Sequence, residues 1–479
     1  MERRTFHRHL HLRQAAGPVR VPGLPDGPAR VSAQAPPAIV PIRHLGRFRL
    51  VAVGITSVIG GGIFIMPAEV AELVGPAGIF AYVVAGLVAL GVGLALASLA
   101  SRYETSGGPY LYVHRAFGEF AGFQVGWLFC LARLTAMASL VNGFARYLGA
   151  LLPWAADPAG RAALIAACSA LIITINLIGI RQTSGATNLF AIAKVLPLVM
   201  LGVGGLFFLQ AESFTPVPVA PMSFLRAVLL LIFVFSGFEI LTVPAEESLQ
   251  PRRDMPFALI ATILTVCAIY LLVHTVATGM LPGLASDQAP LATAAGIMAG
   301  SSGRYAMTAV AATSMAGCAL ISLVGGTRLM YAMSSARQIP RWMGSLHAAW
   351  RTPVRATLLM GVIGTALAIA SAYNTLAAIS SGTRLLVYLA CCLACLRESR
   401  GAWSEEPGPG SAATAGAGGR IMAALTAVAI VALLCALRRD EIIGGVSGIA
   451  LGTVLYSGMW LSAGARRGRA VEAAGGTTQ

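Results

Sequence analysis

The sequence predicts an all-α integral membrane protein with about twelve transmembrane helices, and three observations point there. Only 11% of the 479 residues are charged and 57% are hydrophobic, with a mean hydropathy of +0.76, whereas an ordinary soluble domain is roughly a quarter charged. Apolar runs of about 20 residues, the length that crosses roughly 30 Å of hydrocarbon, recur along the chain. The arginines gather in the tails and in alternate short connections between those runs, the bias of basic loops that stay in the cytoplasm. A soluble fold would need polar faces recurring every helical turn, and these are absent. The net charge of +15 is accordingly read as loop charge and not as a nucleic-acid footprint.

In chain order, residues 1–45 are rich in Arg, His, Pro and Ala without an apolar core of signal-peptide length, which predicts a disordered cytoplasmic tail and no cleaved signal. Apolar runs then mark spans near 50–67, 77–101, 119–151, 161–180 and 187–210. Five more lie near 224–244, 256–281, 305–337, 354–373 and 375–397, and two near 420–437 and 441–463. The organisation this implies is a first five-helix repeat over 46–210 and a second over 211–400. A Gly/Ala/Pro-rich linker over 401–419, two last transmembrane helices over 420–463 and a cytoplasmic tail over 464–479 complete it.

Alternation of the spans puts Arg47, Arg102, Arg115, Arg252, Arg341 and Arg397 on the side of both termini, so both termini are expected to be cytoplasmic. Arg438 and Arg439, before the last span, run against that rule. The arginine-rich, lysine-poor usage suggests a high-GC genome and hence a multi-pass protein of a bacterial inner membrane. The eight cysteines lie in or beside apolar runs, as Cys391, Cys392 and Cys395 do, and read as buried thiols with no disulfide or metal role. No cofactor is implied.

Two spans carry helix-breaking centres, Ile59-Gly60-Gly61-Gly62-Ile63 in the first and Ser236-Gly237 in the sixth. Glycine weakens a helix by roughly 1 kcal/mol relative to alanine, and freed backbone groups are tolerated in a bilayer only where protein or a cavity satisfies them. Close helix packing through small residues is one reading. The other follows from the pairing: broken helices at matching places in two five-helix halves point to a transporter of inverted repeats with its site at the midplane.

The residues around those breaks carry a family likeness. The first span reads Gly54-Ile55-Thr56-Ser57-Val58-Ile59-Gly60-Gly61-Gly62-Ile63-Phe64. Ser106-Gly107-Gly108-Pro109-Tyr110-Leu111-Tyr112 follows the second, then Phe117-Gly118 and Gly126-Trp127. The sixth contains Phe235-Ser236-Gly237-Phe238-Glu239, followed by Glu246-Glu247, and a weaker stretch runs from Thr383 through Arg384 to Tyr388. This ordered set, over roughly residues 45–400, resembles the amino acid permeases of the amino acid/polyamine/organocation superfamily. The resemblance implies a leucine-transporter-like 5+5 inverted repeat with helices 1 and 6 broken. One departure is Gly61, where many members have Ser, Thr or Ala.

A zwitterion at the midplane needs both charges met without stranding a buried side-chain charge. Helix N-terminal amides suit a carboxylate and freed carbonyls suit an ammonium. The carboxylate is therefore placed on the amides around Gly60, Gly61, Gly62 and Ile63. By resemblance the amine is placed on carbonyls near Val58 and along Phe233, Val234, Phe235 and Ser236, beside Gly237. Phe235 and Phe238 are candidate aromatic gates or simple packing residues. Lys194, the chain's single lysine, falls inside the fifth span; it resembles the lysine that replaces a sodium ion in sodium-independent members, unless it snorkels to the interface. Glu239 is either a proton acceptor or a structural partner of an arginine such as Arg133. Glu246 and Glu247 read as a latch on loop arginines such as Arg102 or Arg252.

The function these readings predict is a secondary active transporter moving amino acids by alternating access with proton coupling. Its partners are an amino acid or related amine, protons and the lipid bilayer; oligomeric state is not legible. Exchange of an amino acid for an amine is the alternative within transport. A non-transporting sensor or a membrane enzyme is the alternative outside it, but no output domain is visible and His274 has no catalytic neighbours in sequence. The apolar surroundings of Gly61 fit a small or apolar substrate.

Overall fold

The computed structural model describes residues 46–102, 108–155, 157–179, 184–242, 250–347, 350–398 and 417–475, and contains no strand among them. The first span is two helices, α1 (Arg47–Val58) and α2 (Gly62–Val74), followed by α3 (Gly78–Arg102), α4 (Gly108–Phe117), α5 (Glu119–Gly149), α6 (Pro158–Ile178) and α7 (Ser184–Gly205). The sixth span is again interrupted: α8 (Pro221–Phe235) stops before a short 3-10 turn, Phe238–Thr242. Then come α9 (Pro251–Met280), α10 (Pro290–Ser335), α11 (Val354–Ala370), α12 (Tyr373–Glu398), α13 (Ala417–Leu434) and α14 (Arg439–Gly475). Among the described residues, seven helical stretches suffice by length and composition to cross a membrane, and four more apolar helices are shorter.

The helix ends follow local chemistry. Six helices, α6 and α8–α10 among them, start on or next to a proline, whose missing N–H costs nothing in a first turn. At α6 the Asp157 carboxylate also accepts from the Gly160 amide at 3.2 Å. Packing is organised around α5, which lies against α10 and α12 and touches α6 and α11 as well, while α9 supports α1 and α3 and α8 supports α2 and α3. Small residues allow these approaches: the α-carbon of Gly326 in α10 faces Met360 of α11, and that of Gly143 in α5 faces Ile65 of α2. Outward faces are apolar, with Phe80, Leu87, Leu171, Met200, Val362, Val428 and Val454 all exposed, the surface a bilayer covers. The last helices are tied to the body by the buried ion pair of Arg226 in α8 with Glu441 in α14.

Three elements differ from the sequence reading. The connection after the second span contains α4, whose Tyr112, Val113 and Ala116 are buried although ten residues are too few to register as an apolar run. The eighth span begins at Pro290 and not near 305, because a short apolar helix precedes a break at Ala299 and Gly300, where the backbone leaves helical values. The final helix runs on to Gly475, past the expected end near 463. The expected tail over 1–45, most of the linker over 401–419, and Glu246 and Glu247 lie outside the described residues.

Candidate substrate site

The two breaks meet. α1 ends with Ile59 at φ −67°, ψ 88°, and α2 starts from Gly61. In the sixth span Ser236 is extended and Gly237 takes φ +121°, a conformation that L side chains avoid. A β-carbon on Gly237 would lie 2.5 Å from the carbonyl oxygen of Ser57, so glycine is what lets the two unwound segments touch. Gly61 is confined in another way: a β-carbon there would fall 2.4 Å from Met315 Cγ and 2.8 Å from Leu140 Cδ2. That packing by α10 and α5 accounts for glycine at this position.

Between the breaks and α5, α10 and α12 lies a cavity of about 50 Å³, room for a few waters. Val58, Gly60, Gly61, Gly62, Phe233, Val234, Ser236 and Gly237 all line it. Ile63 is buried just behind. In the first turn of α2 the Phe64 amide donates to the Gly61 carbonyl at 3.3 Å, whereas those of Gly62 and Ile63 have no intrahelical acceptor, and Gly62 stands at this cavity. On the opposite charge, the hydroxyl of Tyr270 in α9 lies 3.0 Å from the Val58 carbonyl and 3.2 Å from that of Val234, bridging the breaks. Ser236 Oγ donates to the Phe233 carbonyl at 2.6 Å. Each carbonyl keeps a second lone pair for an ammonium.

Phe235 and Phe238 are not brought to the cavity. Phe235 packs edge-on against Tyr270 with ring centroids 5.3 Å apart, and Phe238 stacks on Tyr388 at 5.7 Å. Phe233 is the phenylalanine on the lining, edge-on to Tyr373 at 6.2 Å. The sequence offers no sign of this, because which of three near-consecutive phenylalanines faces inward depends on where the helix ends.

Lys194 is 2% exposed, and its ammonium donates to the carbonyl of Thr56. That oxygen is free because α1 stops before residue 60 can supply the next helical N–H. Glu239 is 1% exposed; its Oε2 accepts from the Gly237 amide at 2.8 Å and from the Tyr388 hydroxyl at 3.1 Å, and its Oε1 lies 3.8 Å from Arg133. The pairing with Arg133 that the sequence left open is thus present, and a second buried arginine, Arg384 of α12, faces the same cavity as Arg133. Both guanidiniums line the cavity, which is more polar than its apolar neighbours in sequence suggest. The intramembrane arginines were the legible signal, since each costs roughly 2.5–3.5 kcal/mol to insert; Tyr270 gave none.

Family comparison agrees with this architecture. A family model described as amino acid permease matches residues 45–440. The chain belongs to the amino acid permease family. The permease is 29% identical over 350 residues to a branched-chain amino acid permease of Bacillus subtilis, covering 68% of this chain and 74% of that one. It is 30% identical over 332 residues to an uncharacterized transporter of Mycobacterium tuberculosis (68% and 73%). It is 26% identical over 354 residues to a methylthioribose transporter of Bacillus subtilis (68% and 74%). The family thus establishes a multi-pass membrane transporter. No group of three or more His, Cys, Asp or Glu side chains among the permease's described residues is placed to hold a metal ion. His274 is buried against Tyr82, ring centroids 4.5 Å apart, with neither nitrogen hydrogen-bonded, and is not among the residues that line the cavity.

Proposed function

We propose that this permease is a secondary active transporter that moves amino acids across the bacterial cytoplasmic membrane by alternating access. Its twelve spans form two inverted five-helix repeats plus a final pair, with both termini cytoplasmic. The broken elements α1, α2 and α8 rock against a scaffold of α5, α6, α10 and α11. The substrate carboxylate sits on the first-turn amides of α2, from Gly61 to Ile63, and its ammonium on the Val58, Phe233 and Val234 carbonyls. Lys194 couples transport to protons. Charged, it holds the Thr56 carbonyl and the inner half of the first span; neutral, it releases them. Glu239 holds the second break through the Gly237 amide and is the other proton-responsive group.

The observation that carries this reading is the meeting of two helix breaks around one cavity, with the chain's single lysine on the carbonyl that the first break frees. The relatives' names support amino acids as the class, and methylthioribose among them shows that the family admits other solutes.

The test is uptake of a labelled amino-acid mixture into liposomes holding the purified protein, with and without an inward proton gradient. Gradient-stimulated uptake is expected in the wild type and is lost in Lys194→Ala. Uptake only against preloaded amino acid or amine, indifferent to the gradient, replaces coupling by exchange. No uptake or exchange by folded protein rules transport out.

A further inference from the structure

We propose that the substrate carries a second carboxylate, as aspartate or glutamate does, and that Arg384 together with Arg133 receives it. This deepens the permease reading and rests on it.

Arg133 in α5 and Arg384 in α12 face the cavity from two scaffold helices and are 8% and 3% exposed. Neither donates a hydrogen bond to a protein group among the described residues; Arg384 Nε is fully enclosed without an acceptor, and the one ion pair is the long contact of Arg133 with Glu239. Two guanidinium charges against one carboxylate leave the cluster at +1. A buried charge in that state is costly unless something brought to it supplies the missing acceptors.

The breaks meet a zwitterion's two charges with backbone dipoles alone, so a neutral amino acid would leave the +1 as it stands. An acidic amino acid brings −1, and the loaded cavity becomes neutral. The planar guanidinium fork also matches a carboxylate by two parallel N–H donors. Glu239 has the Gly237 amide and Tyr388 hydroxyl on one oxygen, while its other oxygen, Oε1, is buried without a hydrogen bond 3.8 Å from Arg133; one carboxylate oxygen is too few acceptors for two guanidiniums, and a second carboxylate would supply the rest.

A chloride ion would meet the same positive charge, and the experiment separates the two. Uptake of labelled L-aspartate, L-glutamate, L-leucine and L-serine is measured in liposomes, with thermal unfolding of the purified protein read in parallel. The wild type is expected to take up the acidic pair with KM about ten-fold or more below that of the neutral pair, the scale on which an unmatched polar group discriminates. Arg384→Gln removes that preference by raising the KM for the acidic pair about ten-fold or more, Arg384→Lys restores part of it, and L-aspartate stabilises the wild type but not Arg384→Gln. Uptake of neutral amino acids without the acidic ones overturns the proposal and leaves the permease reading intact. So does acidic uptake that Arg384→Gln leaves unchanged, or stabilisation by chloride with none by aspartate. Carriage of no amino acid at all breaks both readings.

Discussion

Two charge clusters share the helix α5, and their charge balance differs. One joins Glu69 of α2 to Arg146 of α5 and Asn374 of α12, with Arg146 also donating to the Asp287 carbonyl at 3.2 Å. There one cation meets one anion, and both carboxylate oxygens are hydrogen-bonded. The other pairs Glu239 with Arg133 at 3.8 Å and adds Arg384 on the same cavity, an excess cation; Nε lacks an acceptor in Arg384 as it does in Arg146. Arg133 and Arg146 share α5, thirteen residues or about 20 Å apart along the axis. A matched cluster stabilises the conformation in which it forms. An unmatched one at a cavity is kept at a cost in stability, which selection tolerates where a ligand is bound.

The largest effect expected from this contrast is on the matched side. Glu69→Gln leaves the partly buried Arg146 without its anionic partner and should lower stability by up to about 3 kcal/mol. Replacing both, Glu69→Leu with Arg146→Leu, should recover most of that loss; thermal melts in detergent giving the same loss for single and double variants would dissolve the pair as an energetic unit. On the unmatched side the sign reverses: Arg384→Leu should leave stability unchanged or raise it by about 1–4 kcal/mol while transport suffers. A clear drop in melting temperature would mean that Arg384 holds the fold and not the ligand.

Between the clusters, neighbouring glycines separate packing from chemistry. Gly61→Ala meets Met315 and Leu140 inside 3.0 Å and should cost about 1–3 kcal/mol with reduced uptake. Tyr270→Phe strips the shared hydroxyl from the Val58 and Val234 carbonyls, a loss of about 1–3 kcal/mol. It should also loosen the link between the two breaks, which hydrogen exchange of residues 58 and 234 would register. The smallest effect belongs to Gly60→Ala, whose nearest neighbour would be Cys318 Sγ at 3.5 Å; stability should stay within about 0.5 kcal/mol.

The sequence by itself determined the membrane class, both helix breaks, and most span positions within a few residues, the start of the eighth and the end of the last excepted. Hydrophobic run length and glycine are properties of local chain, and the bilayer leaves them little freedom. It also singled out Lys194 and Glu239, since an ionisable residue in an apolar run is conspicuous without any partner. The tertiary structure decided what those residues touch. Lys194 finds Thr56 across 138 positions of chain and Tyr388 reaches Glu239 across 149, distances over which no periodicity carries information. The inward face of Phe233, the two carbonyls shared by Tyr270 and the surplus charge of Arg384 are likewise set by how α5, α9, α10 and α12 pack around the breaks. Side-chain direction at a helix end and charge balance in a cavity are sums over several helices, and no single segment of sequence contains them.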